Sequence, residues 1–303
     1  MKKKTMYLLG IVFTILLGTY FYLSCCSSCG TSVLAETPVQ EKIETEVVPK
    51  VTSYPFTFSN GDYSYNNHDN INFDLSDYSI LKPISPKVDA GIFSLKKHLD
   101  TNKDKIIAIT GFYKNDEENG SAFPNLGLAR ANSVKNYFVS KGMSSAKINI
   151  LGELHDEMIP ENLVLLGPLK YDIGDKAENT DAEMNALATK INDNPLVLYF
   201  NTGEAYITLT QEQRQKIADI SKYLDKVDDA SCSIVGHSDN TGNRQSNIIL
   251  GKERAIFAKG YLIKNGIKES DIKTSSKGPN DPIAPNTTKE GRAKNRRTVV
   301  TLN

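Results

Sequence analysis

The sequence predicts an α+β protein: two tandem βαβαββ two-layer sandwiches behind an N-terminal transmembrane helix. Three observations carry this prediction. An apolar run follows lysines at the very start of the chain. Two later stretches repeat one order of strand, helix, strand, helix and strand, at a period of about 125 residues, well above solenoid periods. In both, the second helix carries the same stripe at four-residue steps, and an arginine sits in it.

Lys2, Lys3 and Lys4 precede the apolar run from Met6 to Leu23. Its length is at the short end of the roughly 17–25 residues that span a bilayer and exceeds the about 7–15 of a signal-peptide core. The lysines stay cytoplasmic, which places the bulk of the chain in the periplasm. An uncleaved inner-membrane anchor is the favoured reading. The alternative is an outer-membrane lipoprotein modified at Cys25, but Tyr22 stands where a lipobox usually has Leu. Cys25, Cys26 and Cys29 crowd at the exit, where a disulfide within the cluster or between chains suits an oxidising compartment. Residues 1–29 are thus read as anchor. Residues 30–52, polar and punctuated by Pro38 and Pro49, are read as a linker.

The first repeat is assigned to residues 53–173. A strand ends at Asn72-Phe73-Asp74, and Ser85 then caps a helix with Pro86 at its first position. Val88, Ile92, Leu95 and Leu99 line one face of that helix. A buried strand, Ile106 to Gly111, leads through a polar loop to a helix striped by Leu126, Arg130, Val134 and Phe138. Gly142 ends that helix in a left-handed C-cap, and the strand Ile148 to Leu151 follows. Residues 174–194 are acidic and polar and read as a second linker, in which Ala182–Leu187 suit a short helix.

The second repeat, residues 195–303, has the same parts. They are the strand Leu198 to Asn201, a helix with a Thr210/Gln213 capping box and an Ile217, Ile220, Leu224 face, and the strand Cys232 to Gly236. A helix striped by Leu250, Arg254, Ala258 and Leu262 comes next, and Gly266 ends it. Strands at Asp271–Thr274 and from Thr298 onward complete the unit. Alternation of these elements builds a two-layer sandwich. Cys232 falls in a strand and reads as an inert core thiol.

The bulk composition excludes several functions. Lysine plus arginine equals aspartate plus glutamate at 36 each in 303 residues, so no global field draws nucleic acid. The basic cluster Arg292, Lys294, Arg296, Arg297 does not change that. The four histidines, His68, His98, His155 and His237, are scattered without zinc-like spacing. No nucleophile elbow, phosphate loop or H-E-x-x-H is present. The chain is read as a non-enzyme without metal or cofactor.

The chemistry concentrates at Asp239, Asn247 and Arg254. At 100° per residue Arg254 lies on the apolar side of its helix. A guanidinium there must find a carboxylate or bear a large desolvation cost. It also stands in the N-terminal half, where the helix dipole favours anions. Two readings follow from the residues. Either Asp239 and Arg254 pair internally and staple loop to helix, or both face a shared zwitterion. In the second case Arg254 grips a carboxylate through two parallel hydrogen bonds and Asp239 takes an ammonium. Asn247 can cap the helix and still offer its amide.

Gly236-His237-Ser238-Asp239…Gly242, Asn247…Leu250-Gly251…Arg254-Ala255 and Asn295-Arg296-Arg297-Thr298 stand in order. Residues 195–302 thereby resemble the OmpA C-terminal-like, peptidoglycan-associated domain shared by Pal-type lipoproteins and MotB-type stators. The family's patterns are G-H-T-D-x-x-G, N-x-x-L-S-x-x-R-A and N-R-R-V. Gly251 departs from the usual serine, which would loosen the helix start, and Thr298 departs from valine. The resemblance implies non-catalytic binding of the free amino-acid end of diaminopimelate in the peptidoglycan stem peptide. Asp239 would hold the ammonium and Arg254 the carboxylate, supported by Thr241, Asn247 and Arg296. The implied partners are peptidoglycan and, through the N-terminal anchor, a membrane tethered to it. The alternative is a periplasmic protein-interaction scaffold whose Asp239–Arg254 pair is only structural.

The first repeat keeps Leu126-Gly127…Arg130-Ala131 but has Lys114 where Asp239 stands and Phe123 where Asn247 stands. Its loop is longer, and no Asn-Arg-Arg strand follows. Asp116, Glu117 and Glu118 can supply an acid to Arg130. The first repeat is therefore read as a degenerate copy with a structural or protein-binding role, the partner in the second case being an envelope protein.

Overall fold

The computed structural model describes residues 12–21, 50–177, 180–201 and 208–303. The chain divides into two units, Met1–Val48 and Pro49–Asn303, each taken here by itself. In the first, residues 12–21 form helix α1. Among the described residues no helix is long and apolar enough to cross a membrane, so the expected spanning helix finds no support there. The rest of the Met6–Leu23 run, the Cys25–Cys29 cluster and residues 30–49 of the expected linker lie outside the described residues.

The second unit opens with a hairpin that the sequence reading did not anticipate: β1 (Phe56–Asn60) antiparallel to β2 (Tyr63–Asn67). Phe56 and Phe58 alternate into the core, and the Phe56 ring stands 4.8 Å from that of Tyr171. The short β3 (Phe73–Asp74) follows, then α2 (Pro86–Thr101). Ser85 caps α2 by accepting from the Lys87 N–H at 3.2 Å, and Val88, Ile92, Leu95 and Leu99 are all buried. Next come β4 (Lys105–Tyr113), α3 (Leu126–Ser140), β5 (Ile148–Leu154), β6 (Val164–Leu165) and β7 (Leu169–Asp175). The sheet runs β5-β4-β7, with β5 parallel and β7 antiparallel to β4. The expected Phe73 strand stays out of that sheet and pairs with β6 instead. Its two residues are too few to span the sheet, and the β1–β2 hairpin supplies the aromatic cover.

Thr180–Asp193 is a helix, α4, longer than the Ala182–Leu187 turn expected in a linker. Its Ile191 joins the core of the following elements, and Asn192 Oδ1 accepts from the Leu302 N–H at 2.9 Å. Then follow β8 (Leu196–Tyr199), α5 (Gln211–Lys226), β9 (Cys232–His237), α6 (Arg244–Lys264), β10 (Ile272–Gly278), α7 (Lys289–Asn295) and β11 (Arg297–Leu302). The strand order is β10-β9-β11-β8. β10 is parallel to β9, and β11 is antiparallel to both its neighbours. The Thr210/Gln213 capping box is present on α5. Leu198, Ile217, Ile234, Ala258, Leu262 and Val300 lose all exposure between the α5–α6 layer and the sheet. Cys232 is buried with them, and burial pushes its thiol up to about 11. Helices α3 and α6 both end at a left-handed glycine, Gly142 and Gly266.

Close approach of α6 to β9 is made by two glycines. A Cβ on Gly236 would fall 1.7 Å from the Gly251 carbonyl oxygen. Gly251 therefore does not loosen the helix; it seats an unbroken α6 on the strand. The same contact recurs between Gly111 and Gly127.

The two halves pack directly on one another rather than hanging on a linker. Asn265, which caps the C-terminus of α6, accepts from the Ala122 N–H at 2.8 Å, and Ala122 enters the core of the second half. Asn132 and Asn136 of α3 donate to the carbonyls of Asn265 and Gly266 at 3.0 and 3.2 Å. Lys135 pairs with Asp225, and Lys226 donates to the Ala146 and Ile148 carbonyls at 2.9 and 2.8 Å. The Lys135 side chain is 2% exposed, so removing its partner strands a buried charge. Asp225→Ala is expected to lower unfolding free energy by about 3–5 kcal/mol in denaturant titration.

Candidate functional site

The site forms where β9 runs out. Beyond His237 the Ser238 N–H binds the Gly278 carbonyl at 2.9 Å, which turns the chain across the end of the sheet. Asp239 then folds back on its own loop: Oδ1 accepts from the Thr241 N–H at 2.9 Å. Its Oδ2 accepts from Arg296 Nη1 at 3.0 Å. Burial pushes the Asp239 carboxyl up, but the Thr241 N–H and the Arg296 guanidinium outweigh it and hold the group below the usual carboxylate range.

Helix α6 begins earlier than the sequence reading placed it. Asn243 is the cap, its Oδ1 accepting from Gln245 and Ser246 N–H at 2.8 and 3.2 Å. Asn247 lies inside the first turn, and its amide donates to the Thr241 carbonyl at 3.0 Å, which ties loop to helix. Thr241 itself is exposed, whereas Asp239 and Asn247 are buried.

Arg254 is fully buried. Nη1 donates to the His237 carbonyl at 3.1 Å and Nη2 to the Asn201 carbonyl at 3.3 Å. The guanidinium carbon stands 5.4 Å from the centre of the Phe200 ring, a cation–π contact. Among the described residues Nε has no hydrogen-bond partner, and the side chain makes no ion pair. Burial and the nearby Arg296 push Arg254 down to about 10, while Asp239 pulls the other way. The internal Asp239–Arg254 staple is thus not formed: Arg296 takes the aspartate. Arg296 also donates from Nε to the Phe200 carbonyl at 3.3 Å. It borders an open cleft of about 610 Å³ lined by Tyr199, Phe200, Thr208, Ala293 and Lys294.

With this geometry in view, comparison with known proteins is informative. The OmpA family matches residues 199–296. Those residues are an OmpA-like domain. The peptidoglycan-binding protein ArfA of Mycobacterium tuberculosis is 34% identical over 130 residues, which cover 43% of this chain and 39% of that protein. Outer membrane protein A of Bordetella avium is 37% identical over 95 residues, 31% of this chain and 49% of that protein. The match therefore spans less than half of either relative. The crystal structure of the C-terminal domain of Helicobacter pylori MotB shares 28% identity and aligns with a TM-score of 0.31, over 36% of this chain and 84% of that one.

Two residues of the OmpA-like domain were not singled out from sequence for what they do here. Phe200 floors the guanidinium of Arg254; its signal was an aromatic at the end of a strand. Asn295 is fully buried, receives the Ile283 and Ala284 N–H groups at 2.9 and 3.1 Å, and donates back to the Ala284 carbonyl at 2.9 Å. It thereby fixes the turn into β11 and hence Arg296. His237 is buried and lowered to about 4 by burial and the Arg297 charge, so it is neutral at neutral pH. Among the described residues no group of three or more metal-ligating side chains comes together.

The first half offers a built-in comparison. Arg130 donates to the Phe112 carbonyl at 2.9 Å and the Asp74 carbonyl at 3.5 Å, and stands 5.7 Å over the Phe73 ring. Those are the counterparts of His237, Asn201 and Phe200. Two partners differ. The Asp77 carbonyl accepts from Arg130 Nε at 2.9 Å, where Arg254 Nε has no partner among the described residues. Glu117 from the longer loop closes on Arg130 with both oxygens, and the two side chains are 0% and 1% exposed. Lys114, at the Asp239 position, turns away and donates to the Met158 carbonyl at 3.1 Å.

Proposed function

We propose that the OmpA-like domain binds peptidoglycan without catalysis, by gripping the free amino-acid end of diaminopimelate in the stem peptide. One observation carries this reading. Arg254 is buried with no carboxylate among the described residues, its Nη1 and Nη2 each on one backbone carbonyl, while Nη1 and Nη2 of Arg130, held by the corresponding carbonyls, are closed by one. A ligand carboxylate would complete Arg254 as Glu117 completes Arg130. Asp239 would take the ligand ammonium. An ionised carboxylate offers roughly four lone-pair sites, and Thr241 and Arg296 occupy two. Thr241, Asn247 and Arg296 hold the loop and the aspartate in place. The likeness to ArfA, a peptidoglycan-binding protein, supports the ligand class. Anchoring through the N-terminal apolar run would turn such binding into a link between membrane and wall. The first half is a degenerate copy that serves a protein partner.

A second reading draws on the Asp239–Arg296 pair: both groups are structural, and the domain is a scaffold for envelope proteins. Co-sedimentation with purified sacculi separates the two. Wild type should sediment with diaminopimelate-type sacculi and not with lysine-type sacculi, whose side chain lacks the second carboxylate. Asp239→Ala should stay in solution. Its retention on the sacculi would overturn the diaminopimelate model, and release of soluble muropeptides by the pure protein would point to an enzyme.

A further inference from the structure

We infer that Glu117 is a built-in stand-in for a ligand carboxylate, so that the first half contains a complete carboxylate socket occupied by its own chain. The donors around it form a full receptor. Arg130 supplies Nη1 at 3.0 Å to Oε2 and Nη2 to Oε1, the fork-to-fork geometry of an arginine–carboxylate pair. Two backbone N–H groups take the remaining lone pairs: Ser76 donates to Oε1 at 2.9 Å and Lys114 to Oε2 at 2.8 Å. Ser76 adopts φ 60, a left-handed conformation that a residue with a Cβ rarely takes. Its hydroxyl in turn receives the Glu118 N–H at 3.0 Å, locking the occupant's loop to the socket.

Three features of the arginine's surroundings recur in the second half. A phenylalanine ring lies beneath each guanidinium, Phe73 or Phe200. Two corresponding backbone carbonyls hold each one, from Phe112 and Asp74 or from His237 and Asn201, and Arg130 Nε has a third in Asp77 at 2.9 Å. Paired glycines press each helix on its strand. The halves differ in who supplies the anion. A loop longer by one residue brings Glu117 over the arginine, and the first half is sealed against any external acid. Of the two arginine cradles among the described residues, only that of Arg254 is then left for an external carboxylate, on the binding proposed above.

Chemical rescue tests this in the full chain. Glu117→Ala deletes a CH2–COO⁻ fragment, the heavy atoms of acetate, and leaves Arg130, Ser76 N–H and Lys114 N–H facing an acetate-sized gap. Its thermal midpoint should fall below wild type. It should rise by roughly 5–10 °C in acetate at about a hundredfold its dissociation constant, relative to chloride of equal ionic strength. Wild type should show no such rise, nor should Glu117→Ala combined with Arg130→Met, which removes the guanidinium. If Glu117→Ala is insoluble, recovery of folded protein on refolding into acetate but not chloride is the same result. An acetate effect no larger than that on wild type or on the double variant would overturn the inference. So would failure of acetate to restore Glu117→Ala while Glu117→Gln, which fills the gap, folds. None of these readouts involves the wall, so they stand or fall apart from the reading of Arg254.

Discussion

Arg254→Ala will weaken binding of a diaminopimelate-containing muropeptide by at least about a hundredfold, measured by isothermal titration calorimetry. The side chain is fully buried, and among the described residues its Nε has no hydrogen-bond partner and its charge no carboxylate. A ligand carboxylate would take two charge-assisted bonds, each contributing about 1.5–3 kcal/mol, and every 1.4 kcal/mol is about tenfold in affinity. Arg254→Lys will recover part of this loss, since an ammonium keeps the charge and gives up the planar fork. The fold should tolerate the alanine variant, because it removes a desolvated charge that burial already disfavours. Equal affinity of wild type and variant would place the ligand elsewhere.

Gly236→Ala will strongly destabilise the fold. Its new methyl would lie 1.7 Å from the backbone oxygen of Gly251, and no rotamer can relieve a clash between a Cβ and a main chain. Helix α6 must move off β9. Overpacking of this kind costs about 1–3 kcal/mol when neighbours can yield; here two backbones meet, and about 3 kcal/mol or more is expected in urea titration. Displacement of α6 carries Arg254 with it, so ligand binding should fall too. Gly260→Ala is the internal control. It lies in the same helix with nothing within 4 Å of the added Cβ, and alanine there should stabilise by about 0.5–1 kcal/mol. Similar midpoints for the two variants would refute the close-packing account.

Much of this architecture was legible in periodicity and caps. The α2 stripe from Val88 to Leu99 and the Thr210/Gln213 box are found where spacing put them. Both stripe arginines are fully buried. What escaped was set by distant chain. Asp239 meets Arg296 rather than Arg254 because β11 lies beside β9 in the sheet, and strand order leaves no trace in local spacing. The cap of α6 moved from Asn247 to Asn243 because either asparagine can serve and helix length, not residue type, decides between them. The β1–β2 hairpin escaped as well, although Phe56/Phe58 and Tyr63/Tyr65 alternate at strand spacing. The junction built on Asn265, Lys135 and Asp225 had no such signal, since each of these polar residues alone looks like ordinary surface.

Helix α6 joins the candidate site to that junction. Arg254 lies at the candidate site, and about 16 Å further along the axis, at about 1.5 Å per residue, Asn265 and Gly266 are held by Ala122, Asn132 and Asn136 of the first half. A load hung on the guanidinium would therefore travel lengthwise down one rod and discharge into the neighbouring half through several hydrogen bonds pulled in parallel. The sheet strands would be spared from peeling one by one. Under the proposed binding the first half would act as the mount of that load, whatever else it touches.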